Sequence, residues 1–291
     1  MKEERNFSSI SPSAKSLLLL KAFTDIPFAK KLAELAYYPR TLAELTTNAD
    51  FAFWARVLHF EKRYKSIDQL LKGTGATNIL ELASGYSMRG LNTAMTEQVY
   101  YIDTDLPALI EEKKALVDKF KEERPVLRGT LELTGLNAMN MNELQSICNS
   151  FPEGPITIVN EGLLMYLNRQ EKEQLCRNIR EVLKQRGGHW ITADVYIRKA
   201  GEKPLPLPEL TKTFFEQHHI EENKFESFEE AEAFFTEMGF VKEKEAHIGS
   251  QTLSSFNNLT RSFKNEPATS GMSPAKTQAT WMLRLADPAT Q

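Results

Sequence analysis

The sequence has only two cysteines, Cys148 and Cys176, among its 291 residues. They form no CxxC pair, and no histidine lies near either of them at the spacing of zinc ligands. The sequence therefore predicts neither a disulfide framework nor a metal site. We expect both thiols to be small residues of the core.

Long apolar runs and an excess of one charge are also missing. The longest apolar runs, Phe51–Ala55, Leu163–Leu167 and Leu17–Leu20, are much shorter than a signal-peptide core or a bilayer span. The 36 basic and 39 acidic residues give a formal net charge of −3 and form no stripe that would attract a phosphate backbone. We therefore expect a cytoplasmic protein that binds neither membranes nor nucleic acid.

The distribution of apolar residues predicts an α/β fold. Between residues 11 and 72 they recur mostly every three or four positions, which indicates helices. From residue 78 onward, short apolar runs alternate with helical stretches, which is typical of a mainly parallel sheet covered on both faces. The predicted strands of this part are 78–83, 98–103, 126–133, 155–160 and 189–195.

Two further predicted strands, 240–247 and 280–286, follow each other without a convincing crossover helix and should pair as an antiparallel hairpin. The segment between them, 249–278, is rich in Ser, Thr, Asn and Pro and is predicted to be a long loop. We therefore predict a doubly wound, mainly parallel seven-stranded sheet with a C-terminal antiparallel hairpin. The predicted single domain comprises a helical cap (11–72), a cofactor-binding core (78–196), a lid insertion (198–235) and the hairpin with its loop (240–286).

The ends of the first two strands carry candidate binding residues, because ligands of an open parallel sheet lie beyond the carboxyl ends of its strands. The first strand runs from Glu81 into a turn in which Ala83 and Gly85 let the backbone approach a ligand closely. The second strand ends at Asp103-Thr-Asp105, about twenty residues later, and such an acid can accept both hydroxyls of a ribose. These features predict a nucleotide site.

The composition of the turn distinguishes between two kinds of nucleotide. A dinucleotide pyrophosphate needs Gly-x-Gly-x-x-Gly, with the last glycine packing helix against strand. This sequence has Ala83-x-Gly85-x-x-Met88 instead. Met88 argues against a close approach of the helix and so against a nicotinamide-dependent oxidoreductase, which remains the alternative together with a catalytically inactive cofactor-binding protein.

Several motifs resemble those of the leucine carboxyl methyltransferase family, which includes bacterial O-methyltransferases. The run Asn160-Glu-Gly-Leu-Leu-Met-Tyr-Leu167 is similar to the family's signature of seven residues. Other segments agree in order and spacing over roughly residues 10 to 200. These are Ser13-Ala-Lys15, Pro27-Phe-Ala29, Arg63, Asp103-Thr-Asp105-Leu-Pro107 and Lys113-Lys114.

The resemblance implies S-adenosyl-L-methionine as cofactor and a role for each matching residue. Lys15 and Arg63 would hold the carboxylate of the methionine part, and Arg offers a planar fork suited to it. Asp105 would bind the ribose, with Asp103 as its rival, and Glu161 would lie against the cofactor. Relatives tend to have an Asp-Leu pair near the adenine. This chain has Asn137-Ala138 there, and the amide oxygen can still accept from the adenine amino group.

The acceptor determines whether a general base is needed. A carboxylate is ionised at neutral pH, whereas a hydroxyl must lose its proton to a nearby group. Candidates for that group are Tyr166, Asp194, His218 and His219, although Tyr166 suits the core and the two histidines suit a surface helix end. Eukaryotic relatives methylate the C-terminal carboxylate of a protein phosphatase. We therefore expect either such a carboxylate or a small molecule as acceptor.

Overall fold

Seven strands form one sheet in the computed structural model, which describes residues 11–36, 49–123, 126–198, 209–263 and 276–287. They are β1 (Asn78–Leu82), β2 (Tyr100–Asp105), β3 (Thr130–Gly135), β4 (Ile156–Asn160), β5 (Gly188–Tyr196), β6 (Phe240–Glu245) and β7 (Gln278–Leu285). The third strand, β3, thus begins and ends later in the chain than the predicted strand, 126–133. The insertion 199–208 lies outside the described residues.

The described part of the chain contains ten α-helices. They are α1 (Ser11–Lys21), α2 (Ala29–Ala36), α3 (Phe51–Thr74), α4 (Arg89–Thr96), α5 (Pro107–Glu123), α6 (Met141–Ser150), α7 (Arg169–Arg186), α8 (Glu209–Gln217), α9 (Phe228–Glu237) and α10 (Phe256–Phe263). The helix α3 begins at the cap Asp50, whose carboxylate accepts from Phe53 N, and ends before Gly75 at a φ of 62°. None of the described helices has the length and apolar character needed to cross a bilayer.

The strand order is β3-β2-β1-β4-β5-β7-β6. All neighbours are parallel except β7, which pairs antiparallel with both β5 and β6. This confirms the predicted seven-stranded sheet and its antiparallel pair. The order reverses between β1 and β4, where the connections leave toward opposite edges and open a crevice at the carboxyl ends.

Part of the predicted loop 249–278 is helical, which corrects the sequence-based expectation. A 3₁₀ turn, Ser250–Thr252, and α10 occupy its first half, while 264–275 lies outside the described residues. Buried Glu61 of α3 holds this segment, because its carboxylate accepts from the backbone and hydroxyl groups of Ser254 and Ser255 at 2.6 to 3.0 Å. The stabilising partner lies about 190 residues away in sequence, so local composition does not reveal it.

The core lies on both faces of the sheet, and successive strand residues alternate between the two sides. Ile158 packs with α6, α7 and α9, whereas its neighbour Val159 packs with α1 to α5. Cys148 and Cys176 are both buried in the first of these layers, as expected. Helices cover both faces of the parallel strands, so a ligand can reach the sheet at the carboxyl ends of the strands.

The close approach between α4 and the sheet occurs at Gly90, two residues after the position expected from the dinucleotide motif. Met88 is buried and lies directly before the helix. The sequence analysis expected Met88 to prevent a close approach of the helix to the sheet, and the structure corrects this expectation. A Cβ on Gly90 would lie 2.9 Å from atoms of Asp103, Leu131 and Tyr101. The close packing of α4 on the sheet therefore depends on a glycine at position 90.

We predict that Gly90→Ala lowers the free energy of unfolding by about 1 to 3 kcal/mol, the usual cost of overpacking a tight core. Gly73→Ala in α3 is the matched control, because its Cβ would meet no atom within 4 Å. It should raise the free energy of unfolding by about 0.5 to 1 kcal/mol, since alanine favours a helix. Urea denaturation measures the free energy of unfolding of both variants. Equal effects of the two substitutions would contradict the close packing of α4 on the sheet at Gly90.

Candidate functional site

A cavity lies at the carboxyl ends of β1, β2 and β4, beneath α1 and the turn that follows it. It contains about 1230 Å³ of space not occupied by protein atoms, part of it open to solvent. Most of the predicted binding residues line it, together with Tyr166. They are Arg63, Glu81, Ala83, Gly85, Asp105, Asn137, Ala138 and Glu161.

Two predicted binding residues, Asp103 and Lys15, lie outside this lining, as does the candidate base His219. Asp103 is turned away from the cavity, His219 is on the surface, and Lys15 is half-exposed with its ammonium 3.4 Å from Glu112. Lys21, one helical turn and a half further along α1, lines the cavity instead. The sequence analysis did not identify Lys21, because the helix face that meets the sheet depends on tertiary packing.

Glu161, directly after β4, is surrounded by three cations. Its carboxylate is 2.6 Å from Lys21 Nζ, 3.1 Å from Arg63 Nε and 2.9 Å from Arg89 Nη2. Burial opposes ionisation of Glu161, but the three cations outweigh this effect and hold its pKa well below the usual range. Glu161 is therefore an anion that joins α1, α3 and α4 to the end of the sheet.

Glu81 has a related role one strand away. Its two carboxylate oxygens accept from Arg89 Nη1 and from the Tyr101 hydroxyl, the latter at 2.6 Å. Arg89 is fully buried and also binds Asp68 at 2.9 Å. Sequence reasoning missed Arg89, although a buried acid in a central strand requires a cation or donor nearby.

One nitrogen of the Arg63 guanidinium has no hydrogen-bond partner among the described residues. Its Nε donates to Glu161 and its Nη1 donates to the Tyr196 hydroxyl at 3.2 Å. Its Nη2 is buried and has no hydrogen-bond partner there. Gly162, which has a φ of 81°, lies beside this nitrogen, and a Cβ there would be 3.4 Å from Nη2, an ordinary van der Waals contact.

Asp105 and Asp103 lie two residues apart on β2, but their carboxylates have different partners. Asp105 accepts from the backbone N–H of Gly85 at 2.8 Å and of Leu106 at 2.7 Å. Burial raises its pKa, and these two N–H groups oppose the rise. Asp103 lies 2.9 Å from buried Lys113 Nζ; burial raises the pKa of Asp103 to about 6, and Lys113 opposes the rise. Only Asp105 faces the cavity.

The turn after β1 adopts left-handed backbone at two residues that line the cavity. Ala83 and Gly85 both have a φ of 52°. Glycine adopts this conformation readily, whereas alanine is strained in it by about 1 kcal/mol or more. The sequence analysis identified these positions correctly as turn residues, and the strain at Ala83 shows that the turn is retained without the glycine.

Asn137 and Ala138 lie after β3 at one end of the cavity. The amide oxygen of Asn137 accepts from Met139 N at 3.1 Å, while its backbone N–H donates to Glu143 at 3.0 Å. A carbonyl oxygen has two lone pairs, so the amide oxygen can accept one more hydrogen bond. The side chain is thus held by its own turn and remains able to contact a ligand.

Asp194 holds the backbone of the signature run. Its carboxylate accepts from the N–H groups of Gly162, Leu163 and Leu164 at 2.7 to 3.1 Å, and from the amide of Asn160 at 2.7 Å. It does not line the cavity. We therefore assign Asp194 a structural role in place of the candidate role of general base.

Tyr166 lines the cavity, and His218 packs behind it. The Tyr166 and His218 rings meet edge to face with centroids 6.3 Å apart. Burial raises the pKa of Tyr166, so the phenol is protonated at neutral pH. The side chain of His219 is 69% exposed, which leaves it on the surface as a helix-end residue.

Several solved structures resemble this chain distantly. The mitomycin 7-O-methyltransferase MmcR is 13% identical at a TM-score of 0.46, with 87% of this chain and 60% of that chain covered. Magnesium protoporphyrin IX methyltransferase (ChlM) from Synechocystis PCC 6803, with bound SAH, is 8% identical at 0.44, with 79% and 84% covered. LepI in complex with SAM is 9% identical at 0.44, with 77% and 46% covered, so this chain spans less than half the length of LepI.

A search among curated proteins finds no match to this sequence. The sequence model described as leucine carboxyl methyltransferase matches residues 12–180, which is more than half of the chain. The matched region includes the first four strands, the cations around Glu161 and the signature run after β4. The chain therefore belongs to the leucine carboxyl methyltransferase family.

Proposed function

We propose that the cavity binds S-adenosylmethionine and that the protein transfers its methyl group to an oxygen atom of an acceptor. The observation that carries this proposal is the buried Nη2 of Arg63, which has no hydrogen-bond partner among the described residues. An unpaired buried guanidinium donor is costly, and a ligand carboxylate would satisfy it with a charge-assisted bond. The methionine part of the cofactor carries such a carboxylate.

The other lining residues fit the remaining parts of this cofactor. Lys21 supplies a second cation beside Arg63, and Asp105 presents an acid to a ribose. Asn137 and Ala138, to which the resemblance assigns the adenine contact, line the same cavity, and Glu161 lines it beside its three cations. Lys21 thus takes the position beside Arg63 that the sequence analysis gave to Lys15.

The bound cofactor would supply an electrophilic methyl group, and the protein would align the acceptor with it. Such alignment and the exclusion of water account for much of the rate of a displacement reaction. Tyr166 is protonated, so it is a poor base at neutral pH. A carboxylate acceptor, on a small molecule or at a protein C-terminus, needs no base and suits this lining best.

Two measurements test the proposed function. Calorimetry should detect binding of S-adenosylhomocysteine and no binding of NAD or NADP. The protein should then transfer label from methyl-labelled S-adenosylmethionine to a component of a cell extract, and the size of that component separates a small molecule from a protein. Binding of a nicotinamide cofactor alone would favour the oxidoreductase, while cofactor binding without transfer to any extract would favour an inactive binding protein.

We predict that Arg63→Ala weakens binding of S-adenosylhomocysteine roughly ten- to a hundredfold, equivalent to about 1.5 to 3 kcal/mol for a hydrogen bond to a charged group. Lys15→Ala is the control and should change the affinity by less than about twofold, because exposed ion pairs contribute little. Calorimetry on the folded variants measures both. A larger loss in Lys15→Ala than in Arg63→Ala would restore Lys15 as the cofactor-binding cation.

Removing each of the two acids of β2 should affect a different property, ligand affinity for Asp105 and stability for Asp103. Asp105→Ala should weaken binding of S-adenosylhomocysteine roughly ten- to a hundredfold, because it removes the acceptor of the ribose hydroxyls. Asp103→Ala should act mainly on stability and lower the free energy of unfolding by about 3 to 5 kcal/mol, since it leaves Lys113 buried without its anion. Calorimetry and urea denaturation of both variants would show the reverse pattern if Asp103 bound the ribose.

A further inference from the structure

Behind Arg63, on the side away from the cavity, lie two residues that the proposed function does not use. His59 is on α3, one helical turn before Arg63, and Tyr196 is the last residue of β5. The Tyr196 hydroxyl is 2.8 Å from His59 Nε2 and 3.2 Å from Arg63 Nη1. Neither His59 nor Tyr196 lines the cavity, so a direct contact with a ligand is not their role.

The chemistry of the groups fixes the direction of the first of these hydrogen bonds, between Arg63 and Tyr196. An arginine only donates, so the Tyr196 oxygen accepts from Arg63 Nη1. The direction of the second bond depends on the tautomer of His59, and the neutral imidazole that carries its proton on Nδ1 accepts the phenolic hydrogen at Nε2. Burial and the neighbouring cations Arg63 and Lys62 lower the pKa of His59, while burial raises the pKa of Tyr196 to about 12. Both groups therefore keep the required protonation at neutral pH.

This chain of hydrogen bonds fixes the plane of the Arg63 guanidinium. Glu161 holds Nε at 3.1 Å and Tyr196 holds Nη1 at 3.2 Å. Because the guanidinium is planar and rigid, fixing two of its nitrogens also fixes the third. The third nitrogen is the unpaired Nη2, which lies beside Gly162, and both residues line the cavity.

We propose that Tyr196, oriented by His59, is a positioning residue that directs Arg63 Nη2 toward the carboxylate of the amino-acid part of the cofactor. This inference rests on the proposed binding of S-adenosylmethionine. Loss of the Tyr196 hydroxyl leaves the guanidinium with one hydrogen bond, at Nε, and with the Phe60 ring, whose centroid lies 4.8 Å from Cζ. The direction of Nη2 is then less restricted. Only ligands that carry the amino-acid part respond to this change, because adenosine groups bind elsewhere in the cavity.

The test is Tyr196→Phe, measured by calorimetry with two ligands. S-adenosylhomocysteine carries the amino acid, and 5′-methylthioadenosine has the same nucleoside and sulfur without it. We expect the affinity for S-adenosylhomocysteine to fall roughly three- to thirtyfold, which corresponds to about 0.7 to 2 kcal/mol, and that for 5′-methylthioadenosine to change by less than about twofold. Tyr100→Phe is the matched control, since the Tyr100 hydroxyl binds Glu132 on β3 and should affect neither ligand.

A second pair of variants tests the orienting role of His59 and serves if Tyr196→Phe does not fold. His59→Gln keeps an acceptor for the Tyr196 hydroxyl and should retain the affinity for S-adenosylhomocysteine within about threefold, whereas His59→Leu removes the acceptor and should weaken it selectively. Equal losses for both ligands, or no loss in Tyr196→Phe and His59→Leu, would overturn the inference. Failure of the unmodified protein to bind S-adenosylhomocysteine would overturn the proposed function and this inference with it.

Discussion

The site is organised by the need to neutralise one buried carboxylate, Glu161, at the end of a central strand. An isolated charge at this depth would carry a desolvation penalty of several kcal/mol, so it must attract cations or lose its charge. Lys21, Arg63 and Arg89 meet this need from three different helices. The same interaction therefore joins the N-terminal helices to the sheet and determines the shape of the cavity.

Neutralising Glu161 has a consequence for ligand binding. Among the nitrogens of the three cations in the described part of the chain, Arg63 Nη2 is the one that is buried without a hydrogen-bond partner. Asp194 meanwhile takes up the backbone N–H groups after Glu161 and keeps that strand end in one conformation. A rigid group of cations with a spare donor is suited to a ligand that brings its own carboxylate.

The positions of the strand-end residues could be predicted from the sequence, because these positions depend on local patterns, and the residues line the cavity. Glu81, Asp105 and Glu161 each follow a short apolar run, and the carboxyl ends of parallel strands meet at one edge. Residues on helices were harder to predict. Lys15 and Lys21 are both on α1, and only the packing of that helix against the sheet selects Lys21. Arg89 and Tyr196 depend on contacts across many residues, and Tyr196 looks like an ordinary strand end in the sequence.

The most direct test of the account is a crystal structure of the protein with S-adenosylhomocysteine. The account predicts that the ligand carboxylate lies within hydrogen-bond distance of Arg63 Nη2, about 2.7 to 2.9 Å for a charged pair, with Asp105 on the ribose hydroxyls. The Arg63 contacts to Glu161 and Tyr196 should be unchanged. An amino-acid end directed away from Arg63, with Nη2 still unpaired, would contradict the central claim.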